Sequence, residues 1–485
     1  MLRLRNLLLA LSLLLALPLL AEDDESRFET RYGKNATFSG GRVTIQHAAG
    51  DLTLRTHDSS QVQVRAVIRS SDDEIGKAIR ITTTESPSGV SITTTIPEVK
   101  KMFGHVSYSV DMTVTVPANA PVTARNSFGN IDARGLGASS TIENKQGSIS
   151  FFDGRGAHTL SNSFGSIDVK TNRGDLTVHN QNGSIDVEKV DGALTVTNRF
   201  GSVEVSNVGR GATITNANGS IDVVDIGGGL KAVSTFGNVK ASTVRGGADV
   251  TTSNARVELA NVGGAATVRN SFGSVVVNTV GGTLTVDGSN SGVEATNISG
   301  AAVVETAFGA VTLSKVSGAA TVKNSNGSIK VSDITGAFTA TTRFADVQAD
   351  RVRGAATVDN QNGNVTLNEM GNAATVRSSF GWVKIDGAGG PVRVENSNGA
   401  ISVAGLRGTG CRPVALRTNF SPIKVSVPAG SSYSVNARTS FGSIKSALPV
   451  TTNGVNENTL VGTIGRGGCQ LDLTNANGNI TIDKE

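Results

Sequence analysis

Cysteine, tryptophan, proline and charge are all scarce in this 485-residue chain, and each shortage excludes something. Cys411 and Cys469 are the only cysteines, too few to staple a chain of this length. Export would permit them to pair, and the even count fits one disulfide, but their separation leaves the bond open. Ten prolines include none between 122 and 390. That gap suits strands whose N–H groups nearly all serve ladders. Charged residues make up 17% of the chain, against roughly 25% in ordinary soluble domains. A formal net charge of +4, part of it from Arg3 and Arg5, gives no electrostatic footprint for nucleic acid. The 58 glycines follow no third-residue period, which excludes collagen.

Long apolar runs are missing except at the start. Arg3 and Arg5, the apolar stretch Leu7 to Leu17, and Pro18 to Ala21 before an acidic run read as a secretory signal over residues 1–21. The stretch is short for a membrane span, and no cysteine marks a lipid attachment point. The expectation is export, to the periplasm, the cell surface or the medium, with no transmembrane segment after cleavage.

What the chain does have is a repeat. With Gly264 as position 1, an 18-residue frame runs without insertion over 120–407, giving sixteen copies. Position 12 is Ile or Val throughout, position 14 is apolar, and positions 5 and 17 usually are. Position 10 is Gly except at Ala255, Ser291 and Ala345. Apolar residues alternate, at 3 and 5 and again at 12 and 14, which is strand periodicity; no helical stripe interrupts it. Glycine at position 10 implies a turn at positive φ. One such repeat cannot bury its own apolar face, so neighbours must stack. The reading is all-β, a parallel β-solenoid; an antiparallel meander would leave a long apolar face in water.

Position 9 adds a second period. Phe128, Phe164, Phe200, Phe236, Phe272, Phe308, Phe344 and Phe380 recur every 36 residues, with Gln146 and then Asn182 to Asn398 between them. Phe420, Phe441 and Asn477 continue the pattern. At 18 residues per coil Phe stacks on Asn; at 36, Phe stacks on Phe. Uniform ladders favour half-repeats paired into 36-residue units, and a packed aromatic corner. The sixteen copies would then span ~40 Å, against ~77 Å for 18-residue coils at ~4.8 Å per coil.

Residues 22–119 read as a strand-rich lead-in and cap, with a short helix starting near Ser70 to Ile75 and a loop at Lys100 to Phe103. Residues 408–485 read as an irregular solenoid end and cap. The repeats, the lead-in Val110 to Pro117 followed by Asn126-Ser-Phe-Gly-Asn-Ile-Asp132, and the ending Leu471 to Ile482 resemble a bacterial β-strand-repeat family of unknown function, labelled "putative adhesins". They are also similar to autotransporter-adhesin head domains with Gly-Ile-Asn-type repeats. The resemblance implies a right-handed β-helix and supplies no functional residues.

Chemistry is sparse. His47, His57, His105, His158 and His179 show no metal-ligand spacing and read as surface or turn residues, and no nucleophile elbow, phosphate loop or zinc motif occurs. No cofactor is implied. Outward position 13 carries Asp132, Asp168, Asp186, Glu204, Asp222, Glu258 and Glu294, read as a solvated acidic face, with a cation bound between stacked carboxylates as the sharper reading. Trp382 stands at outward position 11, a candidate for partner binding or for packing beside Phe380. These features favour a non-enzymatic adhesin-like or envelope module, its partner a cell-surface glycan or envelope protein. A polysaccharide-cleaving hydrolase or lyase is the alternative, since two carboxylates suffice for that chemistry.

Overall fold

A computed structural model describes residues 27–98, 106–407 and 411–485. Stacked parallel strands form a β-solenoid of about 17 turns, with roughly 18 residues between turns. Two parallel ladders run its length. The first is built from strands at positions 3 to 9, such as Val122–Phe128, Ser140–Gln146 and His158–Phe164. The second comes from positions 12 onward, such as Ile131–Arg134, Ile149–Phe152 and Ile167–Val169. Ile142 pairs with Ala124 on one side and Leu160 on the other, an offset of one copy each way. The coil is therefore 18 residues, and the 36-residue unit expected from position 9 is not the structural repeat. Gln146 stacks on Phe128 and Phe164, and Phe164 on Asn182. Unlike rings and amides tolerate this because position 9 lies outside the core.

Side chains at positions 3, 5, 12, 14 and 17 fill the interior, among them Val178, Ile214, Val250 and Leu313. His158 occupies a position-3 slot and is buried against Phe151, with ring centroids 4.9 Å apart. His47 is buried in the lead-in, so neither is the surface histidine expected. Burial pushes both imidazoles below the usual histidine range, against opposing backbone hydrogen bonds. His105 and the Lys100 to Phe103 loop lie outside the described residues, as does the 1–21 segment.

Position 7 supplies a buried polar column where the first strand leaves its ladder for the position-10 turn. Asn144, Asn162, Asn180 and Asn216 each donate through Nδ2 to the position-10 carbonyl of the preceding coil, at 2.8 to 3.0 Å. Thr306 makes the equivalent bond to Ser291 O at 3.1 Å. A strand leaving its ladder strands its carbonyls, and these amides satisfy them. Glycine at position 10 follows from the same geometry. Gly147, Gly165, Gly219 and several equivalents have positive φ, and a Cβ there would sit near 2 Å from the glycine carbonyl of the coil before.

Position 16 also lies at positive φ, in Asn207, Asp225, Thr243, Thr279, Lys315, Arg351 and others, with φ between 54° and 66°. This left-handed residue bends each strand toward position 17. It costs an L-residue of this kind ~1 kcal/mol or more, most for a β-branched one. Replacing Thr279 by glycine or asparagine should therefore raise local stability by ~0.5–1 kcal/mol. Hydrogen exchange of the amides in this coil reads the change, and slower exchange is expected; faster exchange would contradict the strain.

Both ends use one device. Arg42–His47 lies between Gly89–Thr95 and Val122–Phe128, while Leu52–His57 lies between Tyr108–Pro117 and Ile131–Arg134. At the other end, Cys469–Asn475 is inserted between Val414–Thr418 and Tyr433–Thr439. Ile480–Lys484 likewise lies between Ile423–Val427 and Ile444–Ser446. Coils nearest each end thus stack out of chain order, and antiparallel strands such as Phe28–Thr37 and Thr459–Ile464 complete the caps. The short helix α1, Asp73–Ala78, is capped by Asp72, whose carboxylate accepts from Glu74 N and Ile75 N. Cys411 and Cys469 are joined, with Cα atoms 5.6 Å apart, tying the inserted segment to the coil beside it.

Candidate functional site: an aromatic and amide edge

Positions 8 to 11 form the turn between the two ladders, and consecutive coils build from them one edge of the solenoid. All ten position-9 phenylalanines are exposed on it, from 43% for Phe200 to 77% for Phe441. The packed aromatic corner expected from sequence is thus replaced by an open row. The chain turns outward after the buried Asn at position 7, so the ring at position 9 is carried away from the core. Between the rings, Asn182, Asn218, Asn326 and Asn398 turn Nδ2 back to the position-8 carbonyl of the coil before, at 3.1 to 3.3 Å. Rings therefore recur every second coil, ~9.6 Å apart at ~4.8 Å per coil, with an amide between that is tethered in these four coils.

Trp382 lies on the same edge, two residues from Phe380, and is 44% exposed. Its backbone N–H donates to Asn364 Oδ1 at 3.1 Å. Beside the row, positions 6 to 8 form a shallow open groove. In the first five coils it measures about 830 Å³, with Arg125, Glu143 and His179 on one side and Lys145 and Gln181 on the other. Arg125 Nε meets Glu143 Oε2 at 2.8 Å across adjacent coils. The same positions form a groove again further along, around Asp287, Lys323 and Thr341.

The acidic column takes a different form from the one expected. With 18-residue coils, Asp168, Asp186, Glu204 and Asp222 are direct neighbours, and Lys240 then precedes Glu258. Burial, then the charge of Asp168, pushes Asp186 above the usual carboxylate range, although Lys170 opposes the shift. Lys170 also pairs with Glu188 and lies 3.8 Å from Asp168. Among the described residues no group of three or more His, Cys, Asp or Glu is placed to hold a metal ion. The column lies on the second ladder, away from the groove on the first.

Residues 337–483 match the Toastrack DUF4097 family model. The Toastrack stretch takes in the last regular coils and the C-terminal cap with its inserted strands, and it agrees with the repeat-family resemblance read above. A cell adhesion protein from Clostridium sporogenes, itself called putative, is 12% identical; the similarity covers 40% of this chain and 100% of that one, at a TM-score of 0.25. A "putative adhesin" from Bacteroides fragilis is 8% identical over 57% of this chain and 97% of its own, at 0.24. Another from Parabacteroides distasonis is 13% identical over 55% and 97%, at 0.22. No curated protein is significantly similar in sequence. No helix among the described residues is long and apolar enough to cross a membrane.

Proposed function

We propose that this chain is an exported, non-enzymatic β-solenoid, an adhesin-like or cell-envelope structural module that binds through its aromatic edge. One observation carries the reading. Outward position 6 has diverged, reading Arg, Glu, Ser, His, Thr, Thr, Val and Thr over the first eight copies, and outward position 4, mostly Thr, admits Lys231, Asp249, Val303 and Arg393. Position 9 keeps Phe in every second copy without exception over all sixteen. Exposed rings contribute nothing to the core, and a long row of apolar rings in water is a cost that contact with a partner removes. The charged and apolar pattern of residues 1–21 supports export. The polysaccharide-cleaving alternative has no comparable feature behind it: the position-13 column lies off the groove, and of the groove's own carboxylates Glu143 is paired with Arg125 and Glu305 with Lys323.

The test replaces Phe272, Phe308, Phe344 and Phe380 together by serine. The quadruple variant should keep its strand circular dichroism, because these rings are exposed, yet lose tenfold or more in binding to isolated cell envelopes. Undiminished binding would remove the edge from the proposal, and reducing-sugar release from a polysaccharide by the purified chain would restore the enzymatic reading.

A further inference from the structure

We infer that the occupant of the aromatic edge is an uncharged, unbranched, extended glycan of the β-1,4-linked type, lying along the solenoid axis with one sugar per coil. This rests on the reading of the edge as a binding surface.

Charge is the first argument. Across positions 8 to 11 of the sixteen copies, only Lys145, Arg199, Arg256, Arg343 and Asp346 are charged; the rest are Phe, Trp382, amides and small residues. The outward faces of the ladders, in contrast, carry many ion pairs, such as Arg351 with Asp333 at 2.6 Å. Four of the five are basic, but they stand in four of sixteen coils, so a polyanion would find no continuous complementary field along the edge and a polycation none, and either would lose hydration without full compensation. A neutral polymer suffers no such loss.

Spacing is the second. Coils rise by ~4.8 Å, close to the advance per ring of an extended β-1,4-linked chain. In such a ribbon successive rings are turned over, so every second ring presents the same face. The edge has the same two-step alternation, Phe then amide. The C–H face of a pyranose is weakly positive and meets the negative face of an aromatic ring favourably. The intervening sugar meets an amide, whose Nδ2 is held by the backbone in four of the coils. In Asn182, Asn218, Asn326 and Asn398 the side-chain Oδ1 has no protein partner among the described residues and is left to accept a hydroxyl. Because the site repeats, each further disaccharide adds an equivalent contact, and affinity should climb with length as linked sites do.

Trp382 is the sole tryptophan and stands on this edge, so its emission reports occupancy directly. The experiment titrates the full mature chain with cello- and chito-oligosaccharides of two to eight sugars, and with polygalacturonate as the charged control. The inference expects Trp382 emission to change, affinity to rise at least tenfold from two to eight sugars, and polygalacturonate to be ignored. Read by Trp382 emission, the Phe272→Ser, Phe308→Ser, Phe344→Ser, Phe380→Ser variant should lose binding tenfold or more while keeping its circular dichroism, since the untouched rings Phe128 to Phe236 lie far from the reporter. Absence of binding by the neutral oligosaccharides overturns the inference, as does binding indifferent to length or to the four rings. Sedimentation showing a dimer that the four substitutions dissociate would assign the row to a second copy instead. Loss of envelope binding in the quadruple variant without any oligosaccharide binding would leave the edge a binding surface with a protein occupant. If neither assay responds, the binding surface itself is refuted.

Discussion

Replacing Gly219 by valine should cost ~4 kcal/mol, enough to uncouple the coils on its two sides. Gly219 has φ of 144°, and a Cβ there would lie 2.0 Å from the carbonyl oxygen of Gly201 in the coil before. The contact is with backbone held between coils, its N–H donating to Asn218 O and its carbonyl accepting from Asn216 Nδ2, so no side-chain rotation relieves it. A branched side chain at that φ adds strain of its own. In a stacked array, stability is close to a sum of coil and interface contributions. One weakened interface therefore divides the array. Guanidinium unfolding followed by hydrogen exchange should show coils on either side of 201–219 opening separately. Gly229→Ala is the control, because a Cβ there meets only Gly247 O at 3.5 Å. If both variants unfold alike, close approach is not the reason for the glycine column.

Reducing the Cys411–Cys469 bond should loosen the C-terminal cap by up to ~4 kcal/mol, the chain-entropy estimate for a loop with a sequence separation of 58. The inserted strand Cys469–Asn475 pairs on both sides, and the bond anchors its first residue beside the coil that follows Cys411. Without that anchor, the strand must find its slot between two coils at the cost of closing a free loop. Limited proteolysis in reductant, or of the Cys411→Ser, Cys469→Ser variant, should cut within 411–485 while the regular array and the lead-in stay intact. Identical digestion patterns with and without reductant would contradict this.

Strand periodicity, the 18-residue frame and the glycine turns were legible because each has a chemical signature repeated many times. Coil length was misread for a specific reason. Position 9 alone alternates over 36 residues, and because its rings are exposed their alternation sets no constraint on how the coils stack. Asn216 and its equivalents hold position 7 in ten of the sixteen copies, with Ser, Thr or Gly in the rest, and an asparagine three residues before a glycine is also turn chemistry; only the bond to Gly201 O makes it part of the core. Position 16 carried no signal, since Asn, Asp, Thr, Lys, Arg and Glu all stand there in a left-handed bend. The inserted order at the ends was beyond pattern reading as well. Gly89–Thr95 and Arg42–His47 alternate alike, and alternation does not say which neighbour a strand will choose.

The mismatch between an 18-residue coil and a 36-residue edge makes the protein divisible in two different ways. Removing residues 210–227 excises one whole coil and lets every buried column close up, Ala212 and Ile214 leaving together with Asn216. It also brings Phe200 onto Phe236, breaking the alternation at a single rung. Removing 210–245 spares both the columns and the rhythm. For the interior the unit of length is one coil, and for the edge it is two, so a shortened or lengthened chain can keep its fold while losing its surface pattern.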